Sequence, residues 1–216
     1  MNQNAGSRHA RYIVIDGPIG VGKTSLATLL APELNARLIF ERAEENPFLT
    51  DFYHDPARFR FQTQIFFLMS RFAQQEEFSQ HDLFNQVTIS DYLFAKDRLF
   101  AYLTLDEEEL KLYERLHGLL DESIIKPDLV IYMQASVEVL LDRIRARGRP
   151  YERAISREYL EEVARAYNYF FFHYSQAPLL VVNTNEVDIA RNHAQMRDLV
   201  KRLPEIRSGL HYYSPG

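Results

Sequence analysis

The chain has no cysteine, so it can build neither a disulfide framework nor a thiolate metal site. Tryptophan is missing too, so any aromatic surface rests on 15 Phe and 13 Tyr. No apolar run approaches the roughly 18 residues that a membrane span needs. An excess of positive charge is also lacking. The formal net charge is −5, so the chain as a whole is not a nucleic-acid binder and any cationic site must be local. The first ten residues, Met1 to Ala10, are polar and lack the apolar centre of a secretory signal. They read as a flexible tail, and the protein reads as cytoplasmic. What is present, 216 residues that are 46% hydrophobic and 25% charged, suits one soluble globular domain with length for a core.

Glycines are few, and three of the eight fall in residues 17–22. The run Tyr12-Ile-Val-Ile-Asp16 enters Gly17-Pro-Ile-Gly20-Val21-Gly22-Lys23-Thr24-Ser25, a pattern for a phosphate-binding P-loop. Gly17, Gly20 and Gly22 let the backbone curl its N–H groups, with that of Val21, toward an anion. A helix starting near Gly22 points its positive end at the same spot. Lys23 reaches the β- and γ-phosphates, and the Thr24 hydroxyl ligates magnesium. The pattern arises by chance in roughly one chain per hundred of this length. A strand before it and a helix after it make chance rarer.

Strand and helix patterns alternate, which with the phosphate loop predicts an α/β, three-layer P-loop fold: a five-stranded parallel sheet with helices on both faces. The strands are expected at residues 12–16, 37–40, 86–90, 128–134 and 179–183. The helices are expected at 23–34, 56–80, 93–101, 106–125, 137–147, 157–174 and 189–203. Residues 11–203 form the single expected domain, and 204–216 read as a tail without a clear pattern. Ligands of such sheets sit at the carboxyl ends of the strands. That rule selects the P-loop, Glu41 and its neighbours, Ser90-Asp91-Tyr92, and the segment after Asn183.

Several side chains near those ends suit phosphoryl transfer. Glu41 directly follows the second strand, with Glu44 and Glu45 close by. A kinase of small alcohols needs a carboxylate to take the hydroxyl proton, and position favours Glu41, although a lone Glu is more often a solvated loop residue. The long helix puts Gln64, Phe67, Leu68 and Arg71 on one face. Most aromatics there are core, but a Gln and an Arg facing inward fit a slot for a heterocyclic base. Asp91 is placed to touch magnesium or its water shell, and Asp97 to pair with Arg71. Arg143, Arg145, Arg147 and Arg149 cluster around Gly148. Arginines at a helix end offset its dipole, yet the same cluster suits a lid that closes on phosphates.

With these residues in hand, the chain resembles the deoxynucleoside kinase family over roughly residues 11 to 190. The resemblance rests on Gly-Pro-Ile-Gly-Val-Gly-Lys-Thr (17–24), Glu-Asn-Pro-Phe-Leu-x-x-Phe-Tyr (45–53), Phe-x-x-Gln-x-x-Phe-x-x-x-Arg (61–71), Pro-Asp-Leu-Val-Ile-Tyr (127–132) and Arg-Ile-x-x-Arg-Gly-Arg-x-x-Glu (143–152). It implies ATP- and Mg²⁺-dependent phosphorylation of a deoxyribonucleoside 5′-hydroxyl, with a purine base favoured. It implies Glu41 as catalytic carboxylate and Gln64 as the amide on the base. Tyr53 and Glu152 would hold the 3′-hydroxyl. Arg147 and Arg149 would be the lid arginines, with Lys23 on the phosphates. Arg71 and Asp97 would shape the purine pocket, and Glu186, Val187 and Asp188 would cover the donor's adenine. The family is typically dimeric, which points to a homodimer through helix 106–125. One departure is visible: Tyr92 follows the acid where many members carry arginine, and it brings no positive charge. Either another lid arginine compensates, or the geometry near Glu41 differs. Two other readings stay open: a nucleoside monophosphate kinase, and a nucleotide switch with no small substrate.

Overall fold

A computed structural model of the chain describes residues 12–81, 87–185 and 192–213. The chain runs β1 (Tyr12–Asp16), α1 (Lys23–Leu34), β2 (Arg37–Ile39), α2 (Leu49–His54), α3 (Pro56–His81), β3 (Thr88–Ser90), α4 (Asp97–Thr104), α5 (Glu107–Asp121), β4 (Leu129–Gln134), α6 (Val137–Arg147), α7 (Arg157–Phe172), β5 (Leu179–Asn183), α8 (His193–Arg202) and β6 (Leu210–Tyr213). Every strand pairing is parallel, in the order β2-β3-β1-β4-β5-β6. Among the described residues the sheet therefore has six strands, not the expected five. The sixth, β6, lies in the stretch read as a tail. Of its four residues only Tyr213 is buried, so it carries no periodic apolar signal. Docking on the edge of β5 makes it a strand, and the Tyr213 hydroxyl donates to the Gln195 carbonyl at 2.9 Å.

Alternation along the central strands sorts side chains to two faces. Ile13, Ile15, Leu129, Ile131, Leu180 and Val182 pack with Leu26 and Leu30 of α1, Leu140 and Ile144 of α6, and Leu199 of α8. Tyr12, Val14, Val130, Tyr132, Leu179 and Val181 pack with Leu99 of α4 and with Val163, Tyr167 and Phe171 of α7. Tyr132 and Phe171 stack there with centroids 4.1 Å apart. A third cluster joins Leu68 of α3, Ala101 of α4 and Tyr113 of α5.

Three local departures from the sequence reading have visible causes. The helix expected from Leu93 begins as a 3₁₀ turn, Phe94–Lys96, before α4. Leu93 is held extended because its N–H donates to the Asp16 carboxylate at 2.8 Å. The helix expected from Asp106 starts one residue later. The Asp106 side chain caps it, and the Glu109 carboxylate accepts the Asp106 N–H at 3.1 Å, a reciprocal capping box. The six-residue helix α2 lies outside the expected elements, because fewer than two turns are too short for apolar periodicity to reveal.

The strand order reverses at β1, which lies between β3 and β4. Such a switch point opens a crevice at the carboxyl ends of the strands. The loop after β1 occupies that crevice.

Candidate active site

The loop between β1 and α1 is shaped by close packing as well as by anion geometry. A Cβ on Gly17 would lie 2.4 Å from the Met133 carbonyl oxygen, so β4 leaves room only for hydrogen. Gly20 has φ +85°, and a Cβ there would meet the Leu140 carbonyl at 2.9 Å. Gly22 caps α1 in a left-handed conformation. The Val21 carbonyl accepts from Arg143 Nη1 at 3.1 Å, and Arg143 also reaches the Thr184 hydroxyl and carbonyl. Arg143 thus buttresses the loop, whereas Arg145 lies on the surface three residues from Asp142.

A cavity of about 420 Å³ opens beside this loop, with Gly20, Gly22, Lys23, Thr24 and Ser25 in its wall. Lys23 Nζ donates to the Gly17 carbonyl at 2.8 Å. Burial and the like charge of Lys96 draw the Lys23 ammonium down to about 8, against the pull of Asp16, Glu41 and Asp91. Asp91, just past β3, ties two elements together. One carboxylate oxygen accepts from Thr24 Oγ1 at 2.5 Å and the other from the Glu41 N–H at 2.7 Å. Burial raises its carboxyl above the ordinary value. A threonine hydroxyl and a carboxylate in contact form the hard oxygen pair that Mg²⁺ prefers, so these residues fit that ion.

Glu41 follows β2 and faces the same cavity, and Glu44 also borders it. Glu45 is instead exposed against Arg42. Burial raises the Glu41 carboxyl, but Arg71, Lys96 and Lys23 outweigh it and bring it down to about 2. Arg71 of α3 is buried and bridges two acids, with one terminal nitrogen on Glu41 and the other on Asp97. The expected Arg71–Asp97 pair therefore forms, and Glu41 joins it. The Arg71 guanidinium also lies 4.9 Å from the Phe67 ring centroid. Gln64, two turns before Arg71 on α3, is buried in the cavity wall with Phe67 and Thr63.

The opposite wall comes from α2 and the segment after α6. Gly148 ends α6 at φ +69°. Just before it, at the end of α6, Arg147 grips the buried Glu152 through two nitrogens, at 3.1 and 2.5 Å. Arg149 donates to the Tyr151 hydroxyl at 2.6 Å. Tyr53 of α2 borders the cavity beside Glu152 and Tyr159, its ring 6.0 Å from that of Tyr159. Burial holds the Tyr53 hydroxyl well above its ordinary value, and Tyr159 and Glu152 add to the shift. Lys23, Thr24, Glu41, Tyr53, Gln64, Arg71, Asp91, Arg147, Arg149 and Glu152 thus converge on one cavity. Glu186, Val187 and Asp188 lie outside the described residues.

Sequence reasoning missed the layer beneath the loop. Asp16 is fully buried at the end of β1. Its carboxylate accepts from Gly17 N at 2.6 Å, Leu93 N at 2.8 Å, Lys96 Nζ at 3.1 Å and the Tyr167 hydroxyl at 3.2 Å. Lys96 and Tyr167 also border the cavity. One signal was available: Asp16 closes an apolar strand and Lys96 interrupts an apolar run, where charges need partners.

A model of the deoxynucleoside kinase family matches residues 13–207. The deoxyguanosine kinase of Bacillus subtilis is 36% identical over 202 residues, covering 91% of this chain and 98% of that protein. The deoxyadenosine kinase of Dictyostelium discoideum is 36% identical over 196 residues, covering 88% and 79% respectively. Among solved structures, deoxyadenosine kinase from M. mycoides with bound dCTP aligns with a TM-score of 0.76 at 25% identity, covering 90% of this chain and all of that one. The chain belongs to the deoxynucleoside kinase family.

Proposed function

We propose that the protein transfers the γ-phosphoryl group of ATP to the 5′-hydroxyl of a purine deoxynucleoside, deoxyadenosine or deoxyguanosine. The observation that carries this reading is the shared cavity. The phosphate loop with Lys23 forms one end, Glu41 lies at the junction, and Gln64, Phe67 and Arg71 form a slot at the other. The slot is lined by an aromatic face, an amide and a guanidinium, which suits a flat heterocycle with donor and acceptor edges. Similarity to a deoxyguanosine kinase and a deoxyadenosine kinase supports the purine.

The loop N–H groups from Gly20 to Ser25 and the Lys23 ammonium hold the donor phosphates, on a loop whose turn Gly17 shapes. Thr24 and Asp91 hold Mg²⁺, which when bound offsets phosphate charge. Tyr53 and Glu152 hold the 3′-hydroxyl, and Gln64 reads the base beside Arg71 and Asp97. Glu41 is ionised at neutral pH and orients the 5′-hydroxyl. The bond from O5′ to phosphorus forms as the bond to the β-phosphate oxygen breaks, and the hydroxyl proton passes to Glu41. A weakly basic carboxylate suffices because the transition state is loose and the proton leaves late. Arg147 and Arg149 close over the phosphates about Gly148, and the Arg147–Glu152 pair links that closure to the sugar end. Glu186, Val187 and Asp188 are assigned to the donor adenine from the sequence resemblance.

An acceptor that already carried a phosphate would meet Glu41, Glu44 and Glu152 in the cavity wall, so the monophosphate kinase reading is disfavoured. The same proposal includes one kinase domain, expected over residues 11–203 and extended by β6 to Tyr213, with a cytoplasmic location and a homodimer. Exposed Leu112 and Leu119 on α5, with Tyr102 on α4 and Phe172 on α7, support the dimer. No helix among the described residues is long and apolar enough to cross a membrane.

Incubation with ATP, Mg²⁺ and each of the four deoxynucleosides tests the reaction. The expected result is a purine monophosphate, with kcat/KM at least about tenfold above that for deoxycytidine and thymidine. No monophosphate from any of the four refutes the kinase reading. A pyrimidine preference refutes the base assignment alone.

A further inference from the structure

Lys96 is 2% exposed, sits on the 3₁₀ turn after β3, and borders the same cavity as Lys23 and Glu41. Its Nζ lies 5.9 Å from the Phe100 ring centroid and 5.8 Å from that of Tyr167. Nζ donates to Asp16 at 3.1 Å. An ammonium has three N–H groups, and Asp16 takes one of them. The Asp16 carboxylate is itself satisfied by three other donors, Gly17 N, Leu93 N and the Tyr167 hydroxyl.

A counter-ion for Asp16 would be the plain structural role. A buried ion pair, however, recovers little stability over an apolar pair of equal volume. Nor is Lys96 remote from the chemistry. Its charge depresses Lys23 on the donor side and Glu41 on the acceptor side, so it lies within electrostatic reach of both. Tyr92, four residues earlier, is fully buried and neutral.

We propose that Lys96 is a second catalytic cation: Asp16 holds its ammonium so that the free N–H groups contact the phosphoryl group in transit between the ATP donor and the 5′-hydroxyl. This rests on the kinase reading above. Asp16 fixes the ammonium before substrate arrives, so little reorganisation is left for the transfer step. The charge is most useful when the phosphoryl oxygens crowd between donor and acceptor, so its effect falls on kcat more than on binding.

Lys96→Gln keeps an N–H donor for Asp16 and removes the charge. Lys96→Arg keeps the charge. With folding checked by circular dichroism, Lys96→Gln is expected to lower kcat by about 100-fold with KM values changed less than about threefold, and Lys96→Arg to recover at least about tenfold. A kcat for Lys96→Gln within about threefold of the parent means that Lys96 serves Asp16 alone, and the proposal falls. Should Lys96→Gln not fold, the unaltered enzyme with ADP, purine deoxynucleoside, Mg²⁺ and aluminium fluoride decides. Nζ within about 3.2 Å of a fluoride supports the proposal, and a separation beyond about 5 Å overturns it. If the unaltered enzyme phosphorylates no deoxynucleoside, the kinase reading fails instead, and the two failures are distinct.

Discussion

Glu41 lies among Arg71, Lys96 and Lys23, and their charges outweigh the burial that would otherwise raise it. With its value near 2, the carboxylate stays ionised at any pH the enzyme meets, so no acid limb above about pH 4 is expected from it. Glu41→Gln should lower kcat by about 10²- to 10⁴-fold while deoxynucleoside binding, measured by calorimetry, changes little. Lys23 behaves in the opposite sense. Its ammonium form attracts phosphate, and its value is drawn down to about 8. Attraction for ATP is therefore full below that value and is lost as pH rises through it. Bound phosphates favour the ammonium, so kcat/KM for ATP should fall above about pH 8 while kcat holds to higher pH. A pH–rate series at saturating and limiting ATP checks both limbs.

Two glycines at element ends separate close approach from backbone strain. The Gly17 position is closed by β4, since an added Cβ would meet the Met133 carbonyl at 2.4 Å. Gly17→Ala should therefore displace the loop and abolish ATP binding. Gly148, which ends α6, has φ +69° but only the Arg145 carbonyl at 3.9 Å in front of a new Cβ. Gly148→Ala meets strain without a clash. It should cost about 1 kcal/mol, lowering Tm by roughly 2–4 °C, and keep ATP binding. Thermal melts with and without ATP distinguish the two. β6 teaches a related lesson, because three of its four residues are exposed and only the edge of β5 makes it a strand.

Taken whole, the molecule leaves large apolar side chains uncovered on three helices of one layer. Leu119 is 76% exposed on α5, Phe172 80% on α7 and Tyr102 59% on α4. Burying such side chains against a second copy contributes about 1.5–3 kcal/mol each, enough to hold a dimer if several are covered. Analytical ultracentrifugation should give a dimer mass, and Leu119→Glu combined with Phe172→Glu should shift it toward monomer without changing kcat per active site by more than about threefold. A monomeric parent protein removes the dimer proposal and leaves the kinase untouched.

Much of this protein was legible from the chain because its decisive features are local. Glycine spacing after an apolar strand marks a phosphate loop, and strand–helix alternation marks a parallel sheet. The position of Glu41 just past β2 marks the ligand edge, and the spacing of Gln64, Phe67 and Arg71 marks one helix face. What tertiary structure alone decided are relations between distant segments. Arg71 reaches Glu41 as well as Asp97, joining base slot and acceptor site through a guanidinium with two acid partners. Asp16 and Lys96, 80 residues apart, become one buried pair under the loop. Arg143 leaves the lid to hold the Val21 carbonyl. Local sequence carries propensity, periodicity and turn chemistry, but a buried charge finds its partner only when the sheet order brings the strand ends together.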